Sequence, residues 1–176
     1  MSISQLSSRV VYRNPWMTVR EDEVERNHGE RGIYGVVEKY DSAVILPIDG
    51  DSIYLVEQFR YPIGRQSLEL PQGSLEVNGI EPETIARQEL LQETGLAAAS
   101  MELLGSFIIA IGYSNQRQYA FLATGLTMGQ KCPDQEEHDL VLHRVSLEDF
   151  QQRLRDNSIV DAQTLAAWAL YRARRG

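Results

Sequence analysis

The sequence predicts an α+β fold, with helices packed on a mixed sheet. Three observations carry that expectation. Alternating or β-branched runs, each bounded by turn signals, lie on both sides of one acidic helical segment. That segment, about Pro82–Thr94, has proline in its first turn, where a missing N–H costs nothing, and Gly95 just past its end, where a left-handed backbone is wanted. The chain then closes on helical segments with capping residues at Ser146 and Asp161.

The elements follow in order. Residues 8–40 hold strands. Met17–Glu25 alternates, with Val19 among the polar Thr18, Arg20 and Asp22, and Ile33–Val37 is apolar and β-branched around Tyr34. Asn27-His28-Gly29 is the turn between them. Ala43–Ile48 and Ile53–Phe59 flank Asp49-Gly50-Asp51, a hairpin signal. Ser67–Leu70 is a short strand leading into the loop before the acidic helix. Beyond that helix, Met101–Ile111 and Arg117–Thr124 flank the turn Gly112-Tyr113-Ser114-Asn115, and Leu140–Val145 is another strand. Ser146 caps a helix beginning Leu147-Glu148-Asp149. Asp161 caps the last one, through about Arg174, with Leu165, Trp168, Ala169 and Arg172 at helical spacing.

A length of 176 residues suits one domain with a real core. Its 43% apolar and 24% charged content is ordinary for a soluble globular protein. The net charge of −8 argues against a nucleic-acid backbone as partner, because phosphate contacts need clustered Lys and Arg. The basic end YRARRG complements a helix macrodipole. Cys132 is the only cysteine, so neither an intrachain disulfide nor a cysteine zinc site is expected, and His28, His138 and His143 lack metal-ligand spacing. With no apolar leader and no stretch of membrane-spanning length, the expectation is a cytoplasmic protein without a membrane partner.

Glu89 and Glu93 lie four apart and share one face of the acidic helix, with Gln92 beside them. Two carboxylates on one face offer hard oxygen ligands to a cation such as Mg2+. In an arbitrary helix such a pair is more often a solvated face, on which Glu93→Gln costs little stability. Glu136 and Glu137, in CPDQEEHDL, read by themselves as a solvated charge run. Trp16 and Tyr34 can stack a nucleobase, although aromatics in strands are more often core.

ELPQG at 69–73 followed by ELLQETGL at 89–96 resembles the box of Nudix hydrolases. That box runs Gly, five residues, Glu, seven residues, then Arg-Glu-apolar-any-Glu-Glu-any-Gly-apolar. RNPWMTVREDEVE, SAVILPI, IYLVEQFRYPIGRQSLELP and NSIVDAQTLAAWAL are similar to segments of the ADP-ribose pyrophosphatase branch, so the resemblance covers nearly the whole chain. It implies an α/β/α sandwich with a mixed sheet, divided into a small N-terminal β subdomain at 1–40 and a hydrolase domain at 41–176. It implies a pyrophosphohydrolase acting on ADP-ribose or another nucleoside diphosphate sugar, with Mg2+ (or Mn2+) held by Glu89, Glu93, Gln92 and the backbone carbonyl of Gln72. The Gln72 side chain has no part in that role. Glu136 or Glu137 is then the base that activates water. Arg60, Arg65 and Glu69 face the substrate, with Tyr34 and Gly112, and the N-terminal region pairs two subunits as a homodimer.

The box also departs from its pattern. Ile80 stands for the early Glu, Gln88 for the Arg and Gln92 for the first of the paired Glu, and the loop from Gly73 is one residue longer. Ile111 replaces the proline of a Ser-Pro-Gly-aromatic-Ser marker of ADP-ribose preference. These changes leave a rival expectation of a Nudix-fold binding module or sensor with little turnover. Restoring the charge with Gln92→Glu is expected to lower the metal concentration that gives half-maximal activity. A metal titration that does not move would put position 92 outside the metal shell.

Overall fold

The computed structural model describes residues 3–74, 79–129 and 140–175. Three strands, β1 (Ile3–Arg13), β2 (Thr18–Arg26) and β3 (Arg31–Glu38), form an antiparallel sheet in chain order. A seven-stranded sheet contains β4 (Ser42–Asp49), β5 (Ser52–Arg60), β6 (Arg65–Glu69), β7 (Gln72–Gly73), β8 (Leu96–Ile108), β9 (Arg117–Met128) and β10 (Val141–Ser146). Its spatial path is β10-β5-β4-β9-β8, with β6 beside β5 and β7 beside β4. The sheet is mixed because β4 and β9 run parallel while its other pairs are antiparallel. Three helices complete the chain: α1 (Pro82–Thr94), α2 (Leu147–Arg155) and α3 (Ala162–Arg175). Among the described residues no helix is long and apolar enough to cross a membrane.

β4 explains the layering. Its residues from Ser42 to Ile48 are all buried, as a near-continuous apolar run requires of a strand covered on both faces. Ala43 and Ile45 pack toward α1 with Ile85, Ala86, Leu90, Leu96 and Phe121. Val44, Leu46 and Ile48 point the other way, into a second cluster with Leu55, Leu70, Phe150, Ile159 and Ala167. Helices therefore cover both faces, giving the α/β/α sandwich. Phe150 of α2 meets Trp168 of α3 edge-on at 5.1 Å between ring centroids.

The local signals for the helices act as read. Pro82 occupies the first turn of α1, and Gly95 ends it at φ 71°, donating its N–H to the Leu91 carbonyl at 2.9 Å. The Ser146 hydroxyl accepts the Asp149 N–H. Four boundaries and one face differ from expectation, one of them the end of β9, which runs past Thr124 to Met128. β1 begins at Ile3, before residue 8. β8 starts at Leu96, directly after the Gly95 cap, because Ala97–Ser100 pairs with the extended end of β9 and the ladder overrides weak alanine propensity. It stops at Ile108, where the Ala110 carbonyl takes the N–H groups of Tyr113 and Ser114 and turns the chain. In α3 the buried residues are Thr164 and Ala167, and Trp168 and Tyr171 pack on the core while Leu165 is 40% exposed. The phase of α3 is set by Thr164, whose hydroxyl accepts the Leu70 N–H at 2.9 Å and so pins that turn to the sheet.

The three-stranded sheet docks through β3. Val37 donates to the Tyr113 carbonyl at 2.7 Å, the Ser114 hydroxyl donates to the Val37 carbonyl at 2.8 Å, and the Tyr34 hydroxyl donates to the Gly112 carbonyl at 2.8 Å. β1 lies at the far edge, exposed along its whole length, with Ile3, Val10, Val11 and Tyr12 each about half accessible.

Phe150 is fully buried between the sheet and α3, so Phe150→Ala is expected to destabilise the fold by about 3–5 kcal/mol. Urea unfolding monitored by circular dichroism measures this, and a loss under 1 kcal/mol would show that the cluster is loosely packed.

Candidate functional site

α1 lies against β7, and the contact places both box carboxylates. Glu89 and Glu93 are 6% and 3% exposed, so this face is buried and the solvated-face expectation is overturned. The reason is the turn of α1 toward the sheet, with Leu90 and Ala86 inserted beside them. Glu93 Oε2 accepts the Gln72 N–H at 2.9 Å. The Glu89 carboxylate occupies the space that a side chain at position 73 would need, since a Cβ built on Gly73 falls 2.3 Å from Oε2. A side chain at position 73 would have to push the Glu89 carboxylate aside, and glycine leaves it room, independently of backbone conformation. Gln92 is half-buried on the same helix.

The side chain of Gln72 is a hub that the sequence reading missed. Its Nε2 donates to Glu69 Oε2 at 3.0 Å and to Asp161 Oδ2 at 3.1 Å. Its Oε1 accepts from Gln118 Nε2 at 3.2 Å. Asp161 Oδ2 also takes the N–H and hydroxyl of Thr164, both at 2.8 Å, so the α3 cap is wired into the same network. Glu69 is buried and held by Arg60, whose Nε and Nη2 reach its two oxygens at 2.9 and 2.5 Å. Such a bidentate, charge-assisted pair is strong and directional. Burial pushes the Glu69 carboxyl up, but the hydrogen bonds and charge of Arg60, aided by Ser67 and Gln72, outweigh it and hold the group below the usual glutamate value.

These groups line one cavity of about 470 Å³, together with Lys39, Ser42, Gly73 and Gln116. A second cavity, of about 450 Å³, adjoins the three-stranded sheet and contains Arg13, Trp16, Met17, Tyr40 and Asn115. Lys39 borders both. Of the residues expected to face a substrate, Arg60 and Glu69 stand in the first cavity but are engaged with each other. Arg65 is exposed on β6 outside its lining. Tyr34 and Gly112 are joined to each other where the two sheets meet, and Tyr34 is only partly buried, not a core residue. Trp16 is 49% exposed, likewise not core. Glu136 and Glu137 lie outside the described residues.

Lys39, Asp161 and Gln118 are the additions. Asp161 reads in sequence only as a cap. Gln118 had a signal: it is a polar residue opening the inward row Gln118-Ala120-Leu122 of an otherwise apolar strand.

Among the described residues no third His, Cys, Asp or Glu joins Glu89 and Glu93 in a metal-type cluster. The pair nevertheless fits a hard divalent cation. Its donors are all oxygen, it is buried, and the cradle over Gly73 exists only because a Cβ is missing. The departures of the box leave no stranded charge. Ile80 packs on the apolar cluster with Tyr119 and Leu126, and Gln88 is exposed.

Comparison with known proteins places the chain in context. A model of the nucleoside diphosphate sugar hydrolase N-terminal domain matches residues 3–37, and a model of the NUDIX domain matches residues 39–168. The chain is 30% identical to an ADP-ribose pyrophosphatase of Mycobacterium tuberculosis over 163 residues, covering 92% of this chain and 79% of that protein. It is 30% identical to an ADP-ribose pyrophosphatase of Bacillus subtilis over 148 residues, covering 83% and 80%. A methanol dehydrogenase activator of Bacillus methanolicus is 26% identical over 164 residues, covering 92% and 88%. The crystal structure of an ADP compounds hydrolase superposes with a TM-score of 0.86 at 22% identity, covering 98% of this chain and 94% of that one, which is a likeness of fold.

Two outcomes test this geometry. Gly73→Ala is expected to fold yet lower divalent-cation affinity at least about tenfold, because its methyl displaces the Glu89 carboxylate; calorimetric titration with Mn2+ measures it, and unchanged affinity would remove Glu89 from the metal site. The depressed Glu69 carboxyl contributes stability that is fully present above the ordinary glutamate value of 4.5 and lost as pH falls through its lower folded value. The stability gap between the natural protein and Glu69→Gln is therefore expected to narrow between pH 7 and pH 3 in urea melts. A gap that is constant with pH would show that the ion pair with Arg60 contributes nothing.

Proposed function

The chain belongs to the Nudix family, and on that premise we propose that it is a metal-dependent pyrophosphohydrolase that splits ADP-ribose, or a related nucleoside diphosphate sugar, into a nucleoside monophosphate and a sugar phosphate. The observation that carries the reading is the buried pair Glu89 and Glu93, locked to the strand end by Gln72 and Gly73 and opening beside a polar cavity. Glu89, Glu93 and the Gln72 carbonyl would hold Mg2+, or Mn2+ in its place, with Gln92 as a weak neutral contributor. Such a cation, when bound, neutralises diphosphate charge and polarises the phosphorus for attack.

The chain's own groups do the rest. Arg60 is paired with Glu69, so among the described residues Lys39 supplies the positive charge at the cavity wall of a protein whose net charge is −8, and a diphosphate is drawn by that local cation and the bound metal rather than by the overall field. Arg60 also fixes Glu69, which keeps the Gln72 amide turned and the strand end in place. Glu136 or Glu137 takes the proton from the attacking water, which adds to phosphorus as the bridging oxygen leaves. The nucleobase stacks on an aromatic of the N-terminal region, Trp16 or Tyr34. The chain acts in the cytoplasm, without nucleic-acid or membrane partners. Residues 1–40 and 41–176 serve as a pairing subdomain and a hydrolase domain. The accessible apolar side chains of β1, at the free edge of the three-stranded sheet, favour a C2 homodimer that covers them.

Phosphate-ester release from a panel of nucleoside diphosphate sugars, with and without Mg2+, tests the reaction. Glu93→Gln is expected to abolish turnover and retain the fold, since an amide oxygen still accepts the Gln72 N–H. Binding without turnover by the natural protein across the whole panel would make it a sensor instead. Light scattering is expected to give twice the chain mass at micromolar concentration, and a monomer there would contradict the dimer.

A further inference from the structure

We propose that Asp161, the capping residue of α3, is a positioning residue for the metal site, because it clamps the strand end that presents the Gln72 carbonyl. The inference rests on reading that carbonyl as a metal ligand beside Glu89 and Glu93. Residues 70–72 draw little support from their own N–H groups. The Leu70 N–H goes to the Thr164 hydroxyl at 2.9 Å. Pro71 has no N–H. The Gln72 N–H goes to Glu93 at 2.9 Å. In the sheet, β7 pairs antiparallel with β4, Val44 opposite Gln72 and Ala43 opposite Gly73. The Ile45 N–H reaches the Pro71 carbonyl at 2.9 Å, so Pro71 stands at a hydrogen-bonding position of that ladder and Gln72 at the alternate one. Backbone groups at the alternate position turn away from the neighbouring strand. The Gln72 carbonyl therefore takes its direction from the side chains that hold the segment, not from β4.

Those side-chain ties meet on one atom, Asp161 Oδ2. It accepts Gln72 Nε2 at 3.1 Å, and the hydroxyl and N–H of Thr164 at 2.8 Å each. The direction of every bond is fixed. A carboxylate only accepts, and the Thr164 hydroxyl has a single hydrogen. Its oxygen already receives the Leu70 N–H, so its hydrogen goes to Asp161. One carboxylate oxygen thus anchors Leu70 through Thr164 and Gln72 directly, on either side of Pro71. Thr164 is fully buried and Asp161 lines the 470 Å³ cavity, so the anchor joins the core to the site. Capping α3 needs only the bond from the Thr164 N–H. The bond to Gln72, and the line through Thr164 to Leu70, lead out of the helix to the strand end.

Three variants separate the clamp from the cap. Asp161→Asn keeps an oxygen at the same reach. Asp161→Ser keeps an N-cap of similar strength, but its hydroxyl is one bond shorter and falls short of Gln72. Asp161→Ala keeps neither. Each is compared with the natural protein by thermal melting, by amide hydrogen exchange without metal, and by calorimetric titration with Mn2+. Asp161→Ser is expected to melt within about 4 °C of the natural protein. Its amides at 70–73 are expected to exchange at least about tenfold faster while α3 stays protected, and its Mn2+ affinity to fall at least about tenfold. Asp161→Asn is expected to keep the natural exchange and affinity, and Asp161→Ala to lose both and melt early. If either change is missing in Asp161→Ser while the natural protein binds Mn2+, the proposal is overturned and the metal site stands. An early melt of Asp161→Ser with α3 unprotected overturns it too, since Asp161 would then be a helix cap alone. Weak Mn2+ binding by Asp161→Asn would assign the effect to the carboxylate charge and likewise overturn the clamp. A natural protein that binds no Mn2+ removes the metal site itself, and this role with it.

Discussion

One short strand, Gln72–Gly73, holds the rest of the site in register. Its backbone is tied to α1 through Glu93 and to β4 through the sheet, and its amide side chain ties the loop strand β6, the cap of α3 and the strand β9 to one point. Glycine follows at once because the Glu89 carboxylate occupies the adjoining space. Two residues thus bring together elements that lie more than 80 positions apart in the chain, from Glu69 to Asp161. A buried polar network of this kind is worth having only if it is nearly complete, because each half-satisfied member costs what a lost hydrogen bond costs.

The altered box makes sense in the same terms. A buried glutamate and arginine that brace a loop lose their value together or not at all, since removing one strands the other. Here an isoleucine joins the apolar cluster over β4 and an exposed glutamine replaces the arginine, so apolar packing stands where an ion pair would have stood. The charge that remains, Glu89 and Glu93, is the pair in contact with the strand end.

Much of the fold was legible because its signals are local. Pro82 and Gly95 bracket α1, Asp49-Gly50-Asp51 turns the β4–β5 hairpin, and Ser146 starts α2, each through groups within a few positions. What escaped depends on distant contacts. A Glu pair spaced for one helix face looks the same whether water or a strand covers it, so the burial of Glu89 and Glu93 could not be read. The phase of α3 follows from Thr164 reaching Leu70, and no periodicity within the helix contains that bond. The Gln72 side chain looked idle because its partners lie at positions 69, 118 and 161. Gln118 was the readable exception, a polar residue heading an apolar row.

The positive charge of the chain is almost wholly guanidinium. Lys39 and Lys131 are its only lysines among 17 basic residues, and Lys131 lies outside the described segments. Lys39 stands exposed at the border of the two cavities. Guanidinium groups stay protonated and resist acylation, whereas an ammonium in equilibrium with its free amine is a nucleophile. Among the described residues, side-chain amine chemistry is therefore directed to the cleft, with Lys131 and the α-amino group as the chain's other amines. A single acyl or fluorescent tag on Lys39 would report occupancy of either cavity without any engineered attachment point.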